Sequence, residues 1–258
     1  MGEFSHIIDD MTWSFSRLES FEQCPFAWVN SYIYGEEKRN NFFSDFGSCM
    51  HCVLSEYFNR EIGKEDLIVR YIELFSQIKS RAPTQKIKDG RFRDGLSYLS
   101  SPLSTFYEFD SREIISAERE FNISLDGLPF TGFVDLESHD TEFVVTDHKS
   151  SVIKPPSGRA KKTAYDLERE RKARQLYIYA YAFHDKYGFW PDRLEFNCYR
   201  VPYFVSIKFS EAEMEETIRW AHETAKTISS ADIFGPNIDQ YYCRNICSMA
   251  SCPYRDML

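Results

Sequence analysis

The chain lacks any apolar run of the ~18 residues that a membrane-spanning helix requires, so nothing in it reads as a span. Its N-terminus, Met1 to Asp10, has no basic stretch followed by an apolar one. No signal peptide is therefore evident, and a cytoplasmic protein is expected. Internal repeats and low-complexity segments are absent as well. Positive charge is in deficit: 31 Lys and Arg face 40 Asp and Glu, for a formal net charge of -9. Phosphate binding needs cations, so the average charge argues against a nucleic-acid partner.

What is present is apolar material. Of the 258 residues 43% are hydrophobic and 16% aromatic, with 22 Phe and 16 Tyr, enough for a sizeable core. The length fits one large domain, or one domain with a small appendage. The 7 cysteines are odd in number, which together with the missing signal fits a reducing compartment. Cys243, Cys247 and Cys252 crowd the C-terminal end. Such spacing reads as a metal or iron–sulfur knot lacking a fourth ligand; free thiols in a fraying terminus are the alternative.

Periodicity predicts an α/β chain, with a central mixed β-sheet flanked by helices. Two short helices are expected over Ser14 to Tyr34, with a capping box at Ser16 and Glu19 and a break at Cys24-Pro25. Helices follow over Phe46 to Phe58 and Glu65 to Lys79. Arg81 to Gly95 reads as a mobile basic segment, with a short helix near Ser97 to Phe109. Strands are expected over Ile115 to Ile123, Leu128 to Glu137 and Glu142 to Lys149, turning at Asp126-Gly127 to form a meander. A long helix from Ala164 to Tyr187 precedes strands at Leu194 to Arg200 and Tyr203 to Phe209. A helix from Glu211 to Ser229, capped by Ser210, follows.

The third strand delivers Asp147 and, two residues later, Lys149, which places both on one face. The second strand ends an apolar run at Asp135. Acids on neighbouring strands can converge on Mg2+ or Mn2+, and a lysine beside that cation can orient an attacking water. A surface ion pair is the alternative for this triplet alone. His51 follows Gly47 on one helix, the glycine being read as permitting close backbone approach. Gln175 and Tyr179 share a helical face. Glu118 reads as an exposed strand carboxylate, with an outer-shell acid as the alternative, and Cys49 and Cys52 read as buried small residues.

Taken in order, these elements resemble the RecB-like branch of the PD-(D/E)XK nucleases, including AddB-type and CRISPR-associated exonucleases. The opening Ser14, Ser16, Leu18, Phe21, Cys24 and Pro25 is similar to that family's start. Gly47-x-x-x-His51, Gly132-x-x-Asp135, Asp147-x-Lys149 and Gln175-x-x-x-Tyr179 then follow in family order. The resemblance implies a restriction-endonuclease-like core and a single nuclease domain over 1–258. Its parts would be a helical part at 14–60, a sheet core at 112–210 and a cysteine-rich tail at 240–258. It implies that His51, Asp135, Asp147 and the backbone carbonyl of His148 hold Mg2+ or Mn2+, that Lys149 positions the water, and that Gln175 and Tyr179 support the site or touch DNA. It further implies that Cys24 joins Cys243, Cys247 and Cys252 around a 4Fe-4S cluster joining the chain ends. The tail departs from the family, with three residues between the first cysteine pair and four before the last, so zinc remains the other reading.

The implied activity is that of a metal-dependent exonuclease acting on DNA ends or single strands, with room for protein partners in repair, recombination or CRISPR adaptation. A non-catalytic DNA-end-binding or assembly module is the competing class, and a zinc-stabilised interaction protein a third. The charge objection weakens locally. Lys154 to Arg174 holds eight basic residues against three acidic, a balance of +5 that leaves -14 on the remainder. This segment is expected to form a DNA-backbone track, with Tyr165 and Phe92 as candidate stacking residues.

Overall fold

The computed structural model describes residues 2–255 and 257–258. Its sheet has five strands in the order β1-β2-β3-β4-β5: β1 (Glu113–Leu125), β2 (Leu128–His139), β3 (Phe143–Lys149), β4 (Arg193–Cys198) and β5 (Phe204–Lys208). The first three strands form the expected antiparallel meander. Asp126 and Gly127, at φ 49° and 87°, join β1 to β2, the positive φ pair that a two-residue hairpin turn demands. β4 then lies parallel to β3 and β5 antiparallel to β4, so the sheet is mixed. The parallel step requires a crossover, supplied by the long helix between them.

The helices are α1 (Ser5–Ile8), α2 (Phe15–Gln23), α3 (Pro25–Tyr32), α4 (Phe42–Phe58), α5 (Leu67–Ser76), α6 (Gln85–Ser100), α7 (Ala164–Tyr187), α8 (Glu211–Ser230) and α9 (Gln240–Asn245). A 3-10 helix at Thr105–Ser111 leads into β1. α7 starts at a Thr163–Asp166 capping box and stops at Gly188, whose φ of 82° closes the helix in the left-handed region. One apolar cluster packs α7, α8 and α2 on the sheet through Leu176, Phe183, Val145 and Phe196. A second gathers α4, α5 and α6 around Phe46, Tyr71 and Phe106. Among the described residues no helix is long and apolar enough to cross a membrane.

Three local expectations need correction. Ser14, not Ser16, caps α2, accepting from the Arg17 N–H at 3.2 Å; Glu19 instead reaches Lys172. α4 begins at Phe42 because Asn41 accepts from the Ser44 N–H at 3.0 Å. The segment read as mobile, Arg81 to Gly95, is largely the regular helix α6, capped by Thr84. Its glycine is there for packing: a Cβ on Gly95 would meet the Tyr71 ring, whose hydroxyl donates to the carbonyls of Arg91 and Phe92.

Two buried acids brace the sheet. Glu137, fully buried, accepts from Arg119 Nε at 3.0 Å, from Tyr187 OH at 3.1 Å and from Ser116. Glu195 accepts from Arg112, and from Thr146 at 3.1 Å. A buried charge that loses its counter-ion keeps its full desolvation cost, about 3–5 kcal/mol. Arg119→Met should therefore lower unfolding free energy by about that amount in urea titrations. The double variant Arg119→Met, Glu137→Leu should recover most of the loss.

Candidate active site

The middle of the sheet presents Asp135 on β2 and Asp147 on β3, both buried. Lys149 Nζ lies 2.9 Å from Asp147 Oδ1 and 2.7 Å from Oδ2. It also donates to Gln175 Oε1 on α7 at 2.8 Å. Gln175 Nε2 donates in turn to the Tyr179 hydroxyl at 2.7 Å, and that hydroxyl donates to Asp135 Oδ1 at 2.9 Å. The backbone N–H of His148 donates to Asp135 Oδ2 at 2.8 Å. Lysine, amide, phenol and carboxylate thus form one chain of hydrogen bonds from Asp147 to Asp135. The i, i+4 pair on α7 is what closes it.

His51 arrives from α4. Its Nε2 lies 3.2 Å from the His148 carbonyl and its Nδ1 2.8 Å from Glu118 Oε1 and 3.7 Å from Asp135 Oδ2. Every sequence-predicted active-site residue is therefore brought together, and one more is added. Glu118 is not the exposed carboxylate that its strand position implies. Its φ of 49° breaks the β conformation of β1 and accompanies its contact with His51. A left-handed non-glycine residue of this kind is sparsely populated and clusters at functional sites. No periodic signal in the sequence reports such a backbone turn.

The donor atoms of His51, Glu118 and Asp135 lie within 4.8 Å of one another, a nitrogen and two oxygens able to hold a metal ion. Such a set suits a hard or borderline divalent cation. Asp147, beside this trio, pairs with Lys149. The electrostatics fit an added cation. Burial lowers the His51 pKa, but Asp135 and Glu118 outweigh it and lift it to about 9. Burial pushes Asp147 well above the usual carboxylate range, with Lys149 opposing and Asp135 adding to the rise. Lys149 is itself raised, because Asp147 and Asp135 overcome its burial. The site is an excess of buried negative charge already drawing protons and one ammonium inward.

Behind the site, the His148 side chain is buried away from the donors. Its Nδ1 lies 2.9 Å from Asn197 Nδ2, and its ring stacks on Phe58. Burial, then His51, lowers its pKa well below the ordinary value. Its carbonyl lies against His51 Nε2, and its ring meets the His51 ring edge-on at 5.9 Å. Gly132 earns its place by packing, since a Cβ there would press on the Phe121 ring, which lies edge-on to Tyr179. Gly47 does not require close approach within the protein: a Cβ would meet Ser150 Oγ at 3.7 Å, an ordinary contact.

The cation-rich segment is less free than its composition implies. Lys162 pairs with Glu170, Arg169 with Asp166, Lys172 with Glu19 at 2.6 Å and Arg174 with Glu22 at 3.3 Å. Phe92 stacks on Tyr71 against the second core and is not open as expected, whereas Tyr165 remains exposed with Lys154 over one face of its ring. Cys24, Cys243, Cys247 and Cys252 are all buried. The Cys247 thiol is raised by burial first and then by its neighbours Cys24, Cys252 and Cys243. Arg39 reaches across to the tail, donating to the carbonyls of Cys247, Cys243 and Arg244. Cys49 is buried as expected, whereas Cys52 is partly exposed and donates to Glu56.

No protein with a curated description matches the chain in sequence. A crystal structure of a protein from Eubacterium rectale, provisionally named an exonuclease, superposes with a TM-score of 0.54 and 11% identity. The match covers 99% of this chain and 90% of that one, and at such identity the likeness is one of fold. Residues 12–257 match the sequence profile of the PD-(D/E)XK nuclease superfamily, and the chain belongs to that superfamily.

Proposed function

We propose that this nuclease is a metal-dependent exonuclease of the RecB-like, AddB-type branch, acting on DNA ends or single strands, with 1–258 working as one domain. The observation that carries the reading is Lys149, clamped between Asp147 and Gln175 beside the His51, Glu118 and Asp135 donors. His51, Asp135, Asp147 and the His148 carbonyl are the ligand set, with Glu118 joining His51 and Asp135. A bound Mg2+ or Mn2+ supplies an acidified water and offsets phosphate charge. Lys149 holds the attacking oxygen in place and balances charge developing on the phosphate as the P–O ester bond breaks. Gln175 and Tyr179 keep the ammonium and the Asp135 carboxylate in register.

The four cysteines are proposed to hold a 4Fe-4S cluster. Their shared burial and the rise of the Cys247 thiol beside the other three support this, as does the Arg39 clamp on the surrounding carbonyls. The odd cysteine count favours the cytoplasm. Repair, recombination and CRISPR adaptation complexes are the settings in which protein partners are proposed.

Lys149→Ala should reduce cleavage of end-labelled DNA in Mn2+ by about a hundredfold to a thousandfold while DNA binding persists. Undiminished cleavage by a clean preparation removes the mechanism. Retained binding with wild-type protein that never cleaves, whatever the metal, favours the end-binding module instead. Tyr179→Phe deprives Asp135 of a donor and should weaken Mn2+ binding, followed calorimetrically, by about tenfold. Anaerobically purified protein should be brown and contain iron, and Cys247→Ser should lose both. A colourless, iron-free preparation overturns the cluster and leaves the nuclease untouched.

A further inference from the structure

The cleft over His51 and Glu118 has an approximate volume of 960 Å³. Its described lining residues include Ser16, Ser44 and Ser48, and the acids Glu56, Glu61 and Glu118, but neither lysine nor arginine. Phosphate neutralisation by protein cations, the usual source of nucleic-acid affinity, is therefore missing from this wall. Apart from the His51 imidazole, the aromatic ring among its described lining residues is Phe133. That ring is 52% exposed, and among the described residues it makes no contact with another ring. Its neighbour across the ladder is Glu120, which is itself exposed.

Exposed phenylalanines occur singly on many surfaces, and a strand tolerates them. Position distinguishes this one. Phe133 and Asp135 lie two residues apart on β2 and so on one side of it, about 7 Å apart along the strand. A phosphodiester held by a cation at the His51, Glu118 and Asp135 ligand atoms would have an adjacent base within reach of the ring. Every nucleobase offers a π-face, so such a contact is tolerant of sequence, as an end-processing enzyme requires. In an intact duplex those faces are covered by neighbouring bases, whereas in a single strand or a frayed end they are open.

We propose that Phe133 is a base-stacking subsite that selects unpaired nucleotides next to the scissile phosphate. The proposal rests on the nuclease reading of this site and names its substrate class. With acids on the remaining wall, stacking and the bound cation carry the affinity there.

The test is fluorescence anisotropy of a labelled oligothymidylate with Ca2+ in place of Mn2+, so that binding is read apart from cleavage. Phe133→Ala should weaken binding about tenfold, and Phe133→Trp should retain it. Scanning one abasic nucleotide along the oligonucleotide should locate a position where wild-type protein loses the same factor and Phe133→Ala loses nothing further. Urea unfolding of Phe133→Ala, with an unchanged midpoint, separates the lost contact from a lost fold. Equal binding by wild type and Phe133→Ala, or abasic losses that add to the alanine loss at every position, overturns the subsite. Such a failure leaves the nuclease reading standing as long as Lys149→Ala abolishes cleavage. Wild-type protein that binds no oligonucleotide overturns the subsite as well.

Discussion

Two buried carboxylates on adjacent strands repel each other, and the arrangement around Asp135 and Asp147 answers that repulsion. Lys149 sits against Asp147, Tyr179 and the His148 N–H hold Asp135, and His51 rises to about 9 because acids surround it. None of these partners is close in sequence to all the others. β2, β3, α4 and α7 must each be in place before the charges are tolerable, so the fold and the site are one electrostatic solution. A divalent ion at His51, Glu118 and Asp135 would complete the same balance by offsetting their charge.

The surface charge follows a different logic. The chain as a whole carries -9, and its cationic stretch along α7 is largely tied to acids of the same helix or of α2. The exposed Lys162–Glu170 pair contributes little stability, commonly under about 1 kcal/mol, while the other three are buried or partly buried. They do set geometry, since Lys172 and Arg174 align α7 with α2 immediately before Gln175.

How much of this was legible in the residues depends on the scale of the cause. Strand alternation, the Asp126-Gly127 turn and the Gly188 stop are local, and the sheet and α7 follow from them. Asp147-x-Lys149 and Gln175-x-x-x-Tyr179 are short-range patterns whose faces are fixed by strand and helix periods, and the structure joins them through a single lysine. α6 was hidden because the basic, glycine-containing stretch Arg81 to Gly95 read as mobile, whereas Gly95 answers to the Tyr71 ring, a contact between helices. Glu118 was hidden for a backbone reason: its left-handed φ overrides the alternation by which strand residues are assigned to a face. The cations were overcounted as free because composition does not record which acid lies opposite.

The Glu19–Lys172 and Glu22–Arg174 contacts make α2 a splint along the start of α7. α2 ends at Cys24, which is buried in the same neighbourhood as Cys247, while the tail is fastened again where Arg39 N meets the Ser248 carbonyl at 2.6 Å. The Tyr242 hydroxyl of the tail also donates to Gln23 at the end of α2, and α2 in turn grips α7 just before Gln175, which holds the lysine. Damage at the tail is not local to the tail. Whatever loosens the cysteine end of the splint slackens its grip on α7, and the hydrogen-bonded chain from Asp147 to Asp135 loses its alignment without any of its own members being touched.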